Sequence, residues 1–206
     1  MCDNKIFVVS GPSGVGKDTV INEVLKLCDD LEFSISSISR AIRPGESEGE
    51  KYHFVTKEIF EEGIKNNEFL EYAEYCGNYY GTPKKPVEKW LDEGKKVLIE
   101  IDVQGARKLM KIFPNAHFVF IMPTSIDVLR QRLTERHTDS PEVINKRIMA
   151  ATLEIESALY YNYIIINKQN HLDESVKEFC NIINGCVMSD TEENRKKIIN
   201  EVLKNA

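Results

Sequence analysis

The chain has 206 residues, 42% of them hydrophobic, and a formal net charge of −6. That length and apolar share suffice for one substantial core, and the acidic balance argues against a protein whose main work is gripping nucleic acid by its phosphates. A local cluster of arginines can still hold a small phosphate ligand, because a site responds mostly to its nearest charges.

Cysteines stand at positions 2, 28, 76, 180 and 186, without the paired C-x-x-C spacing of a zinc site, and read as thiols of a reducing compartment. The first residues lack a basic n-region and a cleavage signal, and no apolar run approaches membrane-spanning length. The expectation is a cytoplasmic protein with no membrane partner.

Short β-rich apolar runs alternate with stretches of helical spacing, the pattern of a parallel sheet covered by helices. Residues 6–10 form the first predicted strand. It runs directly into GPSGVGKDT, Gly11 to Thr19, and then into helical spacing at Val20, Ile21, Val24, Leu25 and Cys28. Strand, glycine loop and helix are the setting of a P-loop. Glycines at 11, 14 and 16 let backbone N–H groups turn inward around phosphate oxygens, the helix N-terminus adds partial positive charge, and Lys17 adds a full one. The usual pattern has Ser or Thr after the lysine as a Mg²⁺ ligand, but here the residue is Asp18. Two roles are open to it: holding the metal directly or through water, or pointing away and leaving Thr19 to contact phosphate.

Residues 33–39, 52–55 and 69–75 then read as short strands separated by Gly, Pro and charged residues, an inserted lobe over about 35–90. Within it, SSISRAIRPGESEGEKYHF (36–54) brings together Arg40, Arg43 and Tyr52, a donor set suited to a doubly charged phosphate. FLEYAEYCGNYYGTP (69–83) offers Glu71, Tyr80 and Thr82. Taken singly these residues have plainer readings: Tyr79 and Tyr80 as lobe packing, Arg40 and Arg43 as surface charge.

Residues 97–102, 117–122 and 163–167 complete the predicted core strands. Ser125 caps a helix carrying Ile126, Leu129 and Leu133 on one face, and Ser140-Pro141 opens another. Arg132 and Arg136, four apart, share a helix face, and Arg147 follows on the next helix. The tail, 189–206, has Ile198, Ile199, Val202 and Leu203 at helical spacing and reads as a helix packed on its own domain.

In this order the P-loop, S-x-x-S-R-x-x-R-P-G-E, F-L-E-Y-A, G-N-Y-Y-G-T, L-I-E-I-D-V-Q-G and the paired-arginine region resemble the guanylate kinase family, from about residue 5 to about residue 185. The resemblance implies a three-layer α/β P-loop kinase fold with a five-stranded parallel core sheet, an inserted mixed α+β GMP-binding lobe and a helical lid. On this chain the core would be 1–34, 91–124 and 148–206, the lobe 35–90 and the lid 125–147. The implied reaction is ATP-dependent phosphorylation of GMP, with dGMP as a further acceptor and Mg²⁺ accompanying ATP. Monomer and homodimer both stay open.

The same resemblance assigns ATP contacts to Gly11, Ser13, Gly14, Val15, Gly16, Lys17, Asp18, Thr19 and Asn167, and catalytic cations to Lys17, Arg132, Arg136 and Arg147. It gives the GMP phosphate to Arg40, Arg43, Tyr52 and Tyr80, and guanine to Ser36, Glu71, Thr82 and Asp102. A carboxylate suits guanine, whose ring N–H and amino group are donors side by side. Asp18, Thr19, Glu100 and Asp102 are candidates for Mg²⁺, directly or through water. Because the acceptor phosphate is already ionised near neutral pH, no catalytic base is expected.

The sequence departs from the family at His137, where Gly is common, and at Lys168, which replaces an acidic residue. Two rivals stand beside the kinase: a non-enzymatic module on the same fold, against which the retained Lys17, Arg40, Arg43, Arg132, Arg136 and Arg147 argue, and a kinase for phosphorylated sugars, which would have no use for Glu71 with Thr82.

Overall fold

A computed structural model describes residues 3–43, 45–75, 77–135 and 139–204. In chain order the strands are Ile6–Ser10 (β1), Leu31–Ser34 (β2), Ser36–Ile38 (β3), Tyr52–Phe54 (β4), Phe69–Tyr75 (β5), Asn78–Pro83 (β6), Lys96–Glu100 (β7), His117–Met122 (β8) and Tyr163–Ile166 (β9). The helices are Lys17–Leu27 (α1), Lys57–Lys65 (α2), Lys84–Asp92 (α3), Val103–Ile112 (α4), Ile126–Glu135 (α5), Pro141–Ser157 (α6), Leu172–Ile183 (α7) and Glu192–Lys204 (α8).

Parallel strands buried on both faces read as continuous apolar runs, and β1, β7 and β8 do so: Ile6 to Val9, Val97 to Ile99 and Phe118 to Met122 are all buried. They lie in a five-stranded parallel sheet of order β2-β7-β1-β8-β9, while a second, mixed sheet has the order β4-β3-β6-β5. The single strand expected over 33–39 is in fact two. Ser34 ends β2 opposite Ile99, and Ser36 begins β3 opposite Tyr52, so the chain changes sheets across Ile35. Hydrophobic character continues through that break, which is why periodicity does not reveal it. Strand β6, within a stretch read only for its chemistry, pairs antiparallel with both β3 and β5.

The chain forms two compact units, residues 1–8 with 30–116 and residues 9–29 with 117–206. In the first, Thr56 caps α2 by accepting from the Ile59 N–H at 3.3 Å, and the helix buries Phe60 completely. That ring stacks on Phe69, with centroids 4.2 Å apart, and on Tyr79 at 5.2 Å. The strand expected to reach residue 102 stops at Glu100, because Asp102 is the extended N-cap of α4: its Oδ1 accepts from Gln104 N at 2.9 Å and Gly105 N at 2.8 Å.

In the second unit α1 packs on α7 and α5 on α6. Ser125 Oγ accepts from Val128 N and Ser140 Oγ from Val143 N, with Pro141 at the first helical position. The tail helix α8 packs on α6 and the short turn Ala158–Tyr160, burying Ile199 and Val202. Among the described residues no helix is long and apolar enough to cross a membrane.

Phe60 is the centre of the second sheet's apolar face, so Phe60→Ala is expected to lower the unfolding free energy by about 3–5 kcal/mol in a denaturant titration. A loss below about 1 kcal/mol would show that the stacked trio contributes little.

Candidate active site

The loop after β1 folds around itself before α1 begins. Gly16 sits at φ 95°, a left-handed conformation, and a Cβ there would lie 2.7 Å from Asn167 Nδ2, so both backbone and space require glycine. Asn167 is buried and spends its amide on the loop: Nδ2 donates to the Val15 carbonyl at 2.8 Å, and Oδ1 accepts from Ser175 Oγ at 3.2 Å. Lys17 Nζ donates to the Gly11 carbonyl at 2.7 Å and approaches that of Pro12 at 3.4 Å.

Arg132, on α5, donates through Nη1 to the Val15 carbonyl at 2.8 Å and through Nη2 to that of Asn167 at 3.0 Å. Burial draws its pKa down, yet a guanidinium keeps its charge at any working pH. Arg147, on α6, reaches Ser13 Oγ at 3.3 Å and pairs with Asp139 at 3.4 Å. Beside them opens a cavity of about 390 Å³, bordered by Gly14, Gly16, Thr19, Arg132, Asn167 and Leu172. Arg136 and His137 lie outside the described residues.

Among the described residues no group of three or more His, Cys, Asp or Glu could cage a metal. Mg²⁺ bound with nucleotide phosphates needs only one or two protein oxygens, its other ligands being phosphate and water. Asp18 and Thr19, exposed on the first turn of α1 beside Lys17, supply oxygens of that kind and fit the ion.

In the first unit Arg40 is held by Glu46 in a bidentate fork, Nη1 to Oε2 and Nη2 to Oε1, both 2.6 Å. Glu46 Oε2 also accepts from the Arg43 backbone N–H at 2.9 Å, while Arg43 itself is exposed. The Arg40 guanidinium lies 5.6 Å from the ring centroids of Tyr52 and Phe54. Its pKa is raised chiefly by Glu46, against the pull of burial and with help from the Tyr80 hydroxyl. Arg40 Nε is buried and has no hydrogen-bond partner among the described residues.

Glu71, on β5, is buried and accepts from the Thr82 hydroxyl of β6 at 2.9 Å, the two strands pairing these residues directly. Burial pushes its pKa up; the Thr82 hydrogen bond and Lys108 act the other way, and Asp102 adds to the rise. Gly105 makes the room, since a Cβ on it would sit 3.0 Å from Glu71 Oε2. Ser36, on β3, belongs to the same sheet, paired with Tyr52.

Two residues of this site escaped the sequence reading. Glu46 was visible only as the last letter of R-P-G-E, and its spacing six after Arg40 was the available signal. Gly105 ended L-I-E-I-D-V-Q-G, where nothing in the sequence tells that a helix passes against a carboxylate on β5.

A strand, a glycine loop with left-handed turns, a helix N-terminus and a lysine turned back onto the loop define a P-loop nucleotide-binding protein. The chain belongs to the guanylate kinase family, whose model matches residues 3–185. It is 48% identical to the guanylate kinase of Carboxydothermus hydrogenoformans over 162 residues, 79% of each chain. It is 45% identical to that of Clostridium perfringens over 178 residues, 85% of this chain and 82% of the other. The crystal structure of guanylate kinase from Anaplasma phagocytophilum superposes with a TM-score of 0.71 at 34% identity, covering 87% of this chain and 84% of that one.

The Arg40 fork and the Arg43 N–H hold the Glu46 carboxyl at about 2, below its ordinary 4.5. A depressed folded-state pKa stabilises the fold fully above the ordinary value and loses that contribution as pH falls toward the folded one. Between pH 4.5 and 2 the unfolding free energy of the parent is therefore expected to fall more steeply than that of Glu46→Gln. Parallel acid limbs in denaturant titrations would overturn the assignment.

Proposed function

We infer that the protein is a guanylate kinase, moving the terminal phosphoryl group of ATP onto GMP to give ADP and GDP. The observation that carries this reading is the buried Glu71 carboxylate, braced by Thr82 over Gly105, in the same sheet as the residues around Arg40. A buried carboxylate is a costly arrangement unless a ligand uses it, and guanine's two adjacent donors do. Adenine presents an acceptor at the ring position and would face the carboxylate unpaired, a mismatch that discriminates by about 10⁴ or more.

In this reading Arg40, Arg43, Tyr52 and Tyr80 hold the acceptor phosphate, and Ser36, Glu71, Thr82 and Asp102 read the base. The P-loop from Gly11 through Thr19 holds the donor phosphates, with Ser13 and Val15 among the residues that surround them. Asn167 acts by keeping the loop in shape, a role its two hydrogen bonds support. The difficulty of the reaction is electrostatic, since two polyanions must be held in line while charge moves to the leaving group. Lys17, Arg132 and Arg147, joined by Arg136, would offset that charge, with no proton to be removed from the acceptor.

Mg²⁺, held by Thr19 or Asp18 directly or through water, would supply charge neutralisation at the phosphates. Glu100 and Asp102 remain second choices, and Asp102 already commits Oδ1 to capping α4. Exclusion of water from the phosphates is the work we assign to the lobe 35–90 and the lid 125–147 on the core 1–34, 91–124 and 148–206. Acceptance of dGMP and a cytoplasmic setting belong to the same proposal.

ADP release with ATP and Mg²⁺ is expected to be faster with GMP than with AMP, CMP or UMP by at least about 10³-fold in kcat/KM. Equal rates with all four, or none with any, would overturn the reading. Glu71→Gln is expected to cost at least about 10²-fold in kcat/KM for GMP while ATP binding stays within about threefold. Because burial raises the Glu71 pKa, its ionised form costs stability above the folded-state value, so at neutral pH the same variant should unfold no more readily than the parent. Equal losses for both nucleotides would dismiss Glu71 as a base reader.

A further inference from the structure

Away from the phosphate loop, α1 and α7 border a larger cavity of about 780 Å³, lined in part by Leu27, Cys28, Asn170, Leu172, Val176 and Cys180. Two of its wall groups are thiols with Sγ atoms 3.9 Å apart, although the residues are 152 positions apart in the chain. Nothing in the phosphotransfer chemistry uses them. We propose that Cys28 and Cys180 form a thiol modification site: two-electron oxidants close them into an intrachain disulfide, and the closure weakens ATP binding.

Bringing sulfurs from 3.9 Å to a bond of about 2 Å asks roughly 1 Å of each side chain, within the reach of rotamer adjustment in packed helices. Cys180 is partly exposed and Cys28 is buried, so Cys180 is the entering thiol and Cys28 the resolving one. With an azodicarboxamide oxidant, the Cys180 thiolate adds to one nitrogen of the N=N bond and the other nitrogen takes a proton. The Cys28 thiolate then attacks that sulfur, the S–N bond breaks, and its electron pair leaves on nitrogen, which takes a proton. The oxidant ends as the hydrazine, richer by two electrons and two protons, and the protein has lost two hydrogens.

The effect on ATP follows from shared walls. Asn170 and Leu172 line both this cavity and the one beside Gly14, Gly16 and Arg132, and α1, which runs from Lys17, ends immediately before Cys28. A covalent tie between Cys28 and α7 therefore acts on an element that begins in the phosphate loop and on a wall of its cavity. Bond formation stands apart from the kinase reading; the kinetic arm rests on it, and turnover of the reduced protein with GMP is measured first so that the two can fail separately.

The experiment uses the full chain carrying Cys2→Ser, Cys76→Ser and Cys186→Ser, treated with diamide. The intact mass is expected to drop by about 2 Da and to return with dithiothreitol. A further Cys180→Ser or Cys28→Ala change should abolish the drop. The closed form should show a KM for ATP raised about fivefold with the KM for GMP unchanged. No mass loss, a loss that persists in the Cys180→Ser protein, or an unchanged KM for ATP in fully closed protein would overturn the proposal.

Discussion

A cation withdrawn from water has to be given oxygens, and Lys17, Arg132, Arg147 and Arg40 each meet that demand within their own unit. Lys17 rests on the carbonyls of Gly11 and Pro12, Arg132 on those of Val15 and Asn167, Arg147 on Ser13 and Asp139, and Arg40 on Glu46. The local folds follow from these pairings. The phosphate loop closes on its lysine, Asn167 is buried to hold Val15, and the segment after β3 curls back so that Glu46 can meet Arg40. Such pairing keeps the charges at fixed positions, which is what electrostatic catalysis requires of them.

Glu71 is the opposite case. Its carboxylate has one hydroxyl partner, Thr82, and a burial that disfavours ionisation. Stability alone would favour a neutral residue there, so the carboxylate is a local conflict of the sort that marks function. The backbone accommodates it at two levels: β5 and β6 set Glu71 opposite Thr82, and α4 passes close enough that a Cβ at position 105 would crowd the carboxylate.

Motifs tied to one local geometry were legible in the sequence. The P-loop, the Ser125 and Ser140 caps, the apolar strands β1 and β8 and the α/β class all depend on neighbours within a few residues. What was not legible depends on long-range pairing. The switch of sheets at Ile35 leaves hydrophobicity unchanged, and the contact of Gly105 with Glu71 joins residues far apart in the chain. The partnership of Arg40 with Glu46 was within reach of sequence, since only six residues separate them, but Arg40 was read for an incoming phosphate and Glu46 was given no role.

With Arg40 proposed as a phosphate ligand, the Arg40–Glu46 fork also sets a threshold for what that guanidinium can bind. A carboxylate tethered six residues from its guanidinium competes at an effective concentration in the millimolar range or above, whatever the surrounding solution contains. Chloride, acetate and other weak anions meet an arginine already occupied. On that proposal, displacing the internal carboxylate takes a ligand with two charges and further points of attachment, and occupancy by small ions is suppressed without any need to exclude them by size.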